Sequence, residues 1–269
     1  MPRGLELVTG FVTAPGATLT ALTMAAGNSA TVRSAKEGSG IWLLEAWTDN
    51  QAAGTFRIRS PRLHDSAQGI RLDAAISDAS PLLPMGFKQR LFSQDALTLE
   101  LSGSAVVGDI ETAALLVYYE DVPGIEARFI TPEVLMARGV NIMGVENTLS
   151  LGTLGGYSGE EAINAEFDNW KANTDYALLG YLVDTECAAV RWRGVDSGNF
   201  GVGGPGKEDG RFFTNEWFLR LSRLTGLALI PVFNAANKNA ILIDGAQDEN
   251  GADTTVISLF VELSPGAAR

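Results

Sequence analysis

The chain has 269 residues, of which 46% are hydrophobic and 19% charged, enough to build one large or two small domains with apolar cores. Its net charge of −12, with no run rich in Lys or Arg, argues against a nucleic-acid-binding surface. The single cysteine, Cys187, and the single histidine, His64, exclude an internal disulfide, a thiolate zinc site and a multi-histidine metal site.

Short apolar runs separated by turn-forming residues dominate the chain. It contains 30 glycines and 10 prolines, and they fall between short runs of Val, Leu, Ile, Phe and Trp. This composition favours an all-β protein with many turns. No apolar run reaches the roughly 18 residues of a membrane-spanning helix, so we expect none.

The first part of the chain predicts an extended N-terminal arm and then a set of short strands. The arm covers residues 1–16. In FRIRS, Arg57 and Arg59 point one way while Phe56 and Ile58 point the other, the period of a half-buried strand. A short helix is expected after Pro84, over 86–92. Strands are predicted near 18–24, 29–33, 40–48, 55–60, 68–73, 97–102 and 112–120.

Residues 124–146 read as a linker that carries one short helix. Thr131 is placed to cap it, Pro132 stands at the first helical position, and Glu133 adds a negative charge to the first turn. Gly139 is expected to end the helix after about two turns. Apolar residues on both sides of Gly139 indicate that this linker packs down against its neighbours.

The part of the chain after the linker is predicted to contain a similar set of strands and one helix. A helix is predicted over 214–225, with Thr214 as its cap, Trp217 and Leu221 on one face, and Gly226 after its end. Strands are predicted near 147–153, 161–165, 176–183, 188–193, 198–202, 226–233, 239–243 and 255–262.

Five blocks of sequence recur in the same order, which predicts a duplicated domain. The clearest pairs are IWLLEAWTD (41–49) with YALLGYLVD (176–184), and FRIRS (56–60) with VRWRG (190–194). The other pairs are 17–25 with 147–155, 87–101 with 217–231, and 114–124 with 256–266. The offset drifts only between 130 and 142 residues, and the gaps fall where loops tolerate insertions. We therefore predict two tandem sandwiches, over 17–123 and 147–269.

The stretch GVGGPGK (201–207) has the spacing of a phosphate-binding loop. Such a loop continues with Ser or Thr, whose hydroxyl binds magnesium, and then opens a helix. Here Glu208 and Asp209 follow Lys207, and the next residues start no helix. The sequence therefore predicts a glycine-rich connection between strands, with Lys207 at a solvated tip, and no nucleotide site.

Other candidate sites are equally incomplete. GYSGE (156–160) has its first glycine one position too early for a nucleophile elbow. The acidic stretch 244–253 could bind calcium through Asp244, Asp248 and Asp253, but it lacks the alternating ligand order of an EF-hand and reads as a solvated hairpin loop. The arginine pairs of FRIRS and VRWRG fit either strand faces or salt bridges between subunits. We predict no catalytic, cofactor-binding or metal-binding residue.

Duplicated sets of about eight strands, with a helix ahead of Leu97 and another ahead of Leu227, resemble the double jelly-roll major capsid proteins. These are shared by tailless, membrane-containing icosahedral phages and adenoviruses. The resemblance spans about residues 17–264 and implies two tandem jelly-roll β-sandwiches with short helices in loops. It also implies a structural virion protein without enzyme activity or cofactor, located in the capsid.

The same resemblance implies the partners. Three copies would form a homotrimer with pseudo-hexagonal outline, which contacts neighbouring capsomers and vertex proteins and does not bind nucleic acid directly. Some relatives lay an amphipathic N-terminal helix on an internal membrane. Residues 1–16 show no such helix, which leaves contact with an internal membrane open.

Two other classes share parts of this pattern. A tandem β-sandwich protein that binds or cleaves carbohydrate would also be acidic and rich in strands, but it should place several aromatic residues or a carboxylate pair on one concave face. A double-barrel metalloenzyme of the cupin kind needs metal-binding histidines, which His64 alone cannot supply. The capsid reading is the one that the duplication favours.

Overall fold

The computed structural model describes residues 3–63, 65, 67–74, 80–84, 86–122, 127–152, 154–163, 170–206, 214–247 and 253–265. The fold is all-β, with antiparallel sheets and few helices, as the sequence predicts. His64, Lys207 and Asp248, which the sequence singles out, lie outside the described residues.

We call residues 3–122 the first half of the chain and residues 127–265 the second half. The first-half strands are β1 (Arg3–Thr13), β2 (Thr20–Ala21), β3 (Thr23–Met24), β4 (Ile41–Asp49), β5 (Gly54–Arg59), β6 (Ile70–Ala74), β7 (Ser80–Pro81), β8 (Gln89–Arg90), β9 (Thr98–Leu101) and β10 (Ile110–Glu120). The second-half strands are β11 (Phe129–Ile130), β12 (Gly139–Leu149), β13 (Tyr157–Ala162), β14 (Asp175–Val183), β15 (Cys187–Arg193), β16 (Val202–Gly206), β17 (Ile230–Asn234), β18 (Leu242–Ala246) and β19 (Thr254–Leu263).

The α-helices that lie wholly within the described residues are α1 (Pro132–Arg138) and α2 (Trp217–Thr225), and 3-10 helices occur at Val195–Ser197 and Ala235–Ala240. The α1 helix begins as predicted. The Thr131 side chain accepts a hydrogen bond from the Val134 amide, and Pro132 occupies the first turn. The α2 helix begins at Trp217 rather than at a Thr214 cap, and Gly226 ends it in the left-handed region, at φ 71°.

The strands form four antiparallel sheets. Sheet 1 has the order β3-β1-β10-β4-β7, with β8 also on β4, and sheet 2 has the order β2-β9-β5-β6. Sheet 3 has the order β11-β17-β14-β19-β12, and sheet 4 has the order β13-β18-β15-β16. Sheets 3 and 4 thus repeat most of the connectivity of sheets 1 and 2, with β12 in the place of β1, β19 in the place of β10, and β17 in the place of β7 and β8. The edge strands β3 and β11 have no counterpart among the described strands of the other half.

A β-bulge fixes the alignment of the repeat. In the first half, Leu43 pairs with Val117 and Glu45 with Leu116, so Leu44 is the extra residue. In the second half, Leu178 pairs with Phe260 and Gly180 with Leu259, so Leu179 is the extra residue. The bulge therefore sits at the same place in IWLLEAWTD and YALLGYLVD.

The predicted repeat places three blocks on equivalent strands and is wrong in two. The pairs 41–49 with 176–184 and 56–60 with 190–194 fall on equivalent strands in the predicted register. The pair 114–124 with 256–266 also falls on equivalent strands but is one residue out of register, because Ala114 corresponds to Ile257 rather than to Val256. Thr18 and Thr148 do not fall on equivalent strands, because Thr148 lies in β12, whose counterpart is β1. Leu97 leads into β9 of sheet 2, whereas Leu227 leads into β17 of sheet 3. Leucine-rich runs occur in strands of different sheets, such as β9 and β14, so letters alone do not tell which sheet a run joins.

Residues predicted to form an N-terminal arm, over 1–16, instead supply a central strand. Strand β1 lies between β3 and β10, paired from Arg3 with Glu120 to Thr13 with Ile110. Leu5 and Leu7 are buried on one face and Val8 and Val12 on the other, so no polar alternation marks this strand in the sequence.

Two further predictions differ from the structure. The helix predicted over 86–92 is wrong, since Gln89 and Arg90 form β8 and pair with β4 of sheet 1. Tertiary pairing here overrides the local preference. The glycine-rich connection at 201–206 is also not a loop. Val202–Gly206 form the buried strand β16, which pairs with β15.

Glycine is required in β16 because neighbouring atoms come too close for any side chain. A Cβ on Gly203 would lie 2.6 Å from Leu7 Cδ2, and one on Gly204 would lie 2.7 Å from Trp217 Nε1. None of these glycines has a positive φ, so their role is close approach rather than turn formation.

We expect Gly204→Ala to lower the free energy of unfolding by roughly 2 kcal/mol or more, since the buried Tyr181 and Trp217 must move to admit a methyl group. The matched control is Gly152→Ala, where nothing lies within 4 Å of the new Cβ. Urea denaturation of the two variants measures the difference. Equal stabilities would contradict the close-approach explanation.

Candidate assembly surface

Sheet 1 is buried on both faces. Its inner face packs against sheet 2 in a core that contains Val8, Leu43, Leu115, Val117, Phe56 and Ile58. Its outer face belongs to the large core of the second half, through Leu5, Leu7, Leu44, Trp47, Ala114, Leu116 and Tyr118. The two halves therefore share a core and form one packed unit.

Specific contacts fix how sheet 1 sits on sheet 4. The Leu7 amide donates to the Gly201 carbonyl at 2.8 Å, and Trp47 Nε1 donates to the Ala188 carbonyl at 2.9 Å. The Thr9 and Tyr157 hydroxyls lie 2.6 Å apart. The Phe200 ring crosses the boundary and is buried in the first-half core, 5.9 Å from Tyr119.

A buried ion pair lies within this contact, on the outer face of sheet 4. Arg191 Nε and Nη2 donate to the two carboxylate oxygens of Asp244, at 2.6 and 2.9 Å. Arg191 also lies over the Tyr157 ring, 3.5 Å from its centroid, and pairs across the sheet with Gly203, which contacts Leu7. Burial lowers the pKa of Arg191, but the hydrogen bond to Asp244 and the charge interactions with Tyr157, Asp244 and Glu160 together outweigh it, so the net pKa is raised and the side chain stays charged.

The same cluster occurs on the outer face of sheet 2, where it is less covered. Arg57 and Arg59 donate to Glu100 at 2.6 and 2.8 Å, as Arg191 and Arg193 donate to Asp244. Burial raises the pKa of Glu100, but the hydrogen bonds from both arginines outweigh it and the net pKa is lowered. The arginine pairs thus lie on strand faces, as one of the two predicted alternatives states, and bind carboxylates of their own chain.

The outer face of sheet 3 is apolar and only partly covered. Phe260 and Leu178 point into the core, so the neighbours Leu259 and Leu179 point outward. The α1 and α2 helices cover one end of this face, through Leu135 and Leu219. Leu179 and Val261 are half-buried against the cluster that contains these two leucines. The rest of the face consists of Ile142, which is exposed, and of Leu182, Ile257 and Leu259, which are half-buried.

Exposed apolar residues continue from that face onto α1. The exposed fraction is 65% for Ile142, 57% for Val140 and 73% for Met136. Strand β12, which carries Val140 and Ile142, is the end strand of sheet 3. We call the outer face of sheet 3 together with these residues the apolar face. A contiguous apolar patch at a sheet edge is typical of a protein–protein contact.

The structure separates the other residues that the sequence singled out. Cys187 is buried at the start of β15. GYSGE runs into β13, where Tyr157 lies over Arg191. Asp244 is buried in β18 and held by Arg191 and Arg193, so the prediction of a solvated loop over 244–253 is wrong at that residue. Asp253 accepts a hydrogen bond from Ser150 at 3.3 Å.

No group of three or more metal-ligating side chains occurs within the described ranges. The helices described are too short and too polar to cross a bilayer. A cleft of about 370 Å³ lies beside Arg3, Arg128 and Arg138. Of these, Arg128 forms an ion pair with Asp175 at 2.6 Å, and Arg138 donates to the Ser264 carbonyl.

Glu45 is a buried carboxyl group that sequence reasoning missed. It is fully buried, and Oε1 accepts from the Ala46 and Leu83 amides at 3.0 and 2.9 Å. Oε2 has no hydrogen-bond partner in the described part of the chain. Burial raises the pKa of Glu45 to about 7, only partly offset by the backbone amides. A glutamate inside an apolar strand run is the signal that points to it.

We expect Arg191→Met to lower the free energy of unfolding by about 3 kcal/mol, because it leaves Asp244 buried with only Arg193 to neutralise it. The control is Lys171→Met, which removes the exposed pair with Glu262 and should cost less than about 1 kcal/mol. Denaturant titration at neutral pH compares them. Similar losses would contradict the burial of this pair.

Glu45 should make stability depend on pH with a definite sign. Since its pKa is raised from 4.5 to about 7 on folding, the folded state binds more protons between these values, and stability falls as pH rises through that window. A shift of this size corresponds to about 3 kcal/mol. We expect Glu45→Gln, which keeps the acceptor for both amides, to abolish that fall. Melting temperatures at pH 5 and pH 8 test it, and an unchanged slope would contradict it.

Comparison with known proteins does not identify a family for this chain. No protein-family model and no curated protein matches the sequence. Among solved structures, the protein YhaK from Escherichia coli aligns over 98% of this chain and 87% of its own length. The identity is 11% and the TM-score 0.23, too low to indicate a common fold.

Proposed function

We propose that this chain is a structural virion protein, a double jelly-roll major capsid protein that forms the repeating unit of an icosahedral shell. The observation that carries the proposal is the repeated connectivity. Leaving aside the edge strands β3 and β11 and counting β7 and β8 as one, eight strand positions in each half wind into two sheets in the same order, with the bulge at the same place. That winding is the one expected of a jelly roll.

The shared core supports a role as a rigid building block. A shell protein must hold fixed angles to its neighbours, and sheet 1 locks the two halves together through its doubly buried strands. The Arg191–Asp244 pair and the glycine strand β16 bring sheets 1 and 4 into direct contact. Duplication then presents two similar sandwiches at a set orientation.

The assembly follows from the geometry of a shell. Most positions on a closed icosahedral surface have six neighbours, and three chains with two sandwiches each fill such a position as a homotrimer. Closed cyclic symmetry makes each contact heterologous, so the first half of one chain meets the second half of the next. The apolar face supplies the kind of surface that such a contact needs. Neighbouring capsomers and vertex proteins are the further partners, and the capsid is the location.

Carbohydrate binding receives no support from the aromatic residues. Sugar-binding faces expose several aromatic rings, but the five tryptophans and five tyrosines of this chain are all described and all buried or half-buried, and among the described phenylalanines only Phe87 is exposed. Trp47, Trp192 and Trp217 form the core between the halves. We therefore put forward no second function.

We expect purified protein to have about three times the 28.5 kDa mass of one chain and to keep it at moderate salt, because apolar contacts are not screened by ions. Light scattering measures the mass. Electron microscopy of concentrated protein should show sheets or shells of such units. A stable monomer at micromolar concentration with no ordered assembly would overturn the proposal.

A further inference from the structure

We infer that neighbouring copies dock head to tail, with the apolar face of sheet 3 of one copy seated on the outer face of sheet 2 of the next. This contact would reproduce the one that sheet 1 makes with sheet 4 inside each chain. The inference rests on the proposed trimer and goes further by naming both surfaces and the residues on them.

The first step is the equivalence of sheets 1 and 3. Aligned by their ladders and by the bulge, the residues that sheet 1 buries against the second half correspond one to one with residues on the apolar face. Leu5 corresponds to Ile142, Leu44 to Leu179, Trp47 to Leu182, Ala114 to Ile257, Leu116 to Leu259 and Tyr118 to Val261, and these are apolar in both halves. Leu7 corresponds to Gly144, so the row on sheet 3 lacks a side chain at that position.

The second step is the difference in burial between the equivalent sets. In sheet 1 these positions are at most 2% exposed, because sheet 4 covers them. In sheet 3 the same positions are half-buried, and Ile142 is 65% exposed. An apolar row that is covered in one half and open in the other indicates a surface whose cover is supplied by another molecule.

The third step is the equivalence of sheets 2 and 4. Arg57, Arg59 and Glu100 on sheet 2 match Arg191, Arg193 and Asp244 on sheet 4 in strand position and in hydrogen bonding. In sheet 4, Arg191 and Asp244 of this cluster are buried at the contact with sheet 1, beside Leu7, while Arg193 stays partly exposed. On sheet 2, Arg57 and Arg59 share the single carboxylate of Glu100, so a face that covers this cluster must supply one further negative charge.

The fourth step is charge complementarity. Glu146 corresponds to Thr9, whose hydroxyl reaches Tyr157 above Arg191, so Glu146 would lie over the sheet 2 cluster near Arg57. That face carries Arg57, Arg59 and Arg71 against Glu100 and Asp73 and is therefore net positive. Glu146 and Arg71 are both exposed in the single chain. An acidic residue thus meets a basic face.

These observations also indicate which molecule covers the apolar face, namely a second copy of the same chain. Each chain has one matched pair of faces joined internally, sheets 1 and 4, and one matched pair left open, sheets 3 and 2. An open face of each kind on one molecule is the condition for a head-to-tail contact between identical copies. Three internal and three external contacts of the same kind would then close a ring of three chains.

The test uses full-length protein and two substitutions on the apolar face, Ile142→Asp and Glu146→Arg. Both positions are exposed in the single chain, so we expect each variant to fold with an unchanged circular dichroism spectrum. We expect the mass to fall from about three times to one times 28.5 kDa at micromolar concentration. Val107→Asp and Glu37→Arg, at exposed residues outside both faces, are the matched controls and should stay trimeric.

A charge exchange identifies the receiving face. Arg71→Glu alone should weaken the trimer, and Glu146→Arg combined with Arg71→Glu should restore it, with a dissociation constant at least about tenfold lower than for either single variant. A wild-type trimer that survives Ile142→Asp and Glu146→Arg would overturn this inference and leave the proposed function standing. A wild-type monomer, or a dimer that Ile142→Asp splits, would overturn both.

Discussion

The burial of sheet 1 on both faces is the constraint on which the rest of the molecule depends. A sheet covered on both sides needs apolar residues at consecutive positions, which the run from Ala113 to Tyr119 in β10 supplies. Its second cover is sheet 4, which must come close and carry no unpaired charge. The glycines of β16 allow the approach, and Asp244 neutralises Arg191.

Equivalent positions in the two halves carry different residues, depending on which part of the molecule packs against them. Where sheet 4 covers sheet 1, the chain has Trp47 and Leu7, which fill the contact. The corresponding residues on sheet 3 are Leu182 and Gly144, which are smaller and partly open. The residue after the bulge, Glu45 in the first half and Gly180 in the second, also differs according to what packs against it. Glu45 is accommodated because the Leu83 amide reaches it, whereas Gly180 lies directly under the backbone of Thr214 and Asn215.

The proposed function depends on this asymmetry. If both halves exposed the same sheet faces to the same extent, nothing would favour pairing of these faces within one chain over pairing between chains. Here one pair of faces is closed inside the molecule by a shared core, and the other pair stays open. A chain built in this way has a defined interior contact and a defined exterior one, which is what a repeating unit of a closed shell requires.

The sequence alone determines the local features. Thr131, Pro132 and Gly139 set the α1 helix, and the period-2 pattern of FRIRS sets β5. The bulged pair of strands could be matched across the repeat, because their apolar letters are nearly the same. What the sequence could not reveal was decided by packing. Strand β1 reads as an arm because both of its faces are apolar, and β16 reads as a loop because its glycines record close contact rather than turns.

The arginine strands FRIRS and VRWRG show a property that the local sequence does not predict, namely how deeply a side chain is buried. They have the same pattern, lie at equivalent positions and bind equivalent carboxylates. Yet Arg191 lies against the Tyr157 ring at the contact between the halves, with its side chain 10% exposed, whereas its counterpart Arg57 is 16% exposed. Local pattern specifies which way a side chain points from a strand. Whether another sheet lies above it depends on residues more than a hundred positions away, and only the tertiary structure decides that.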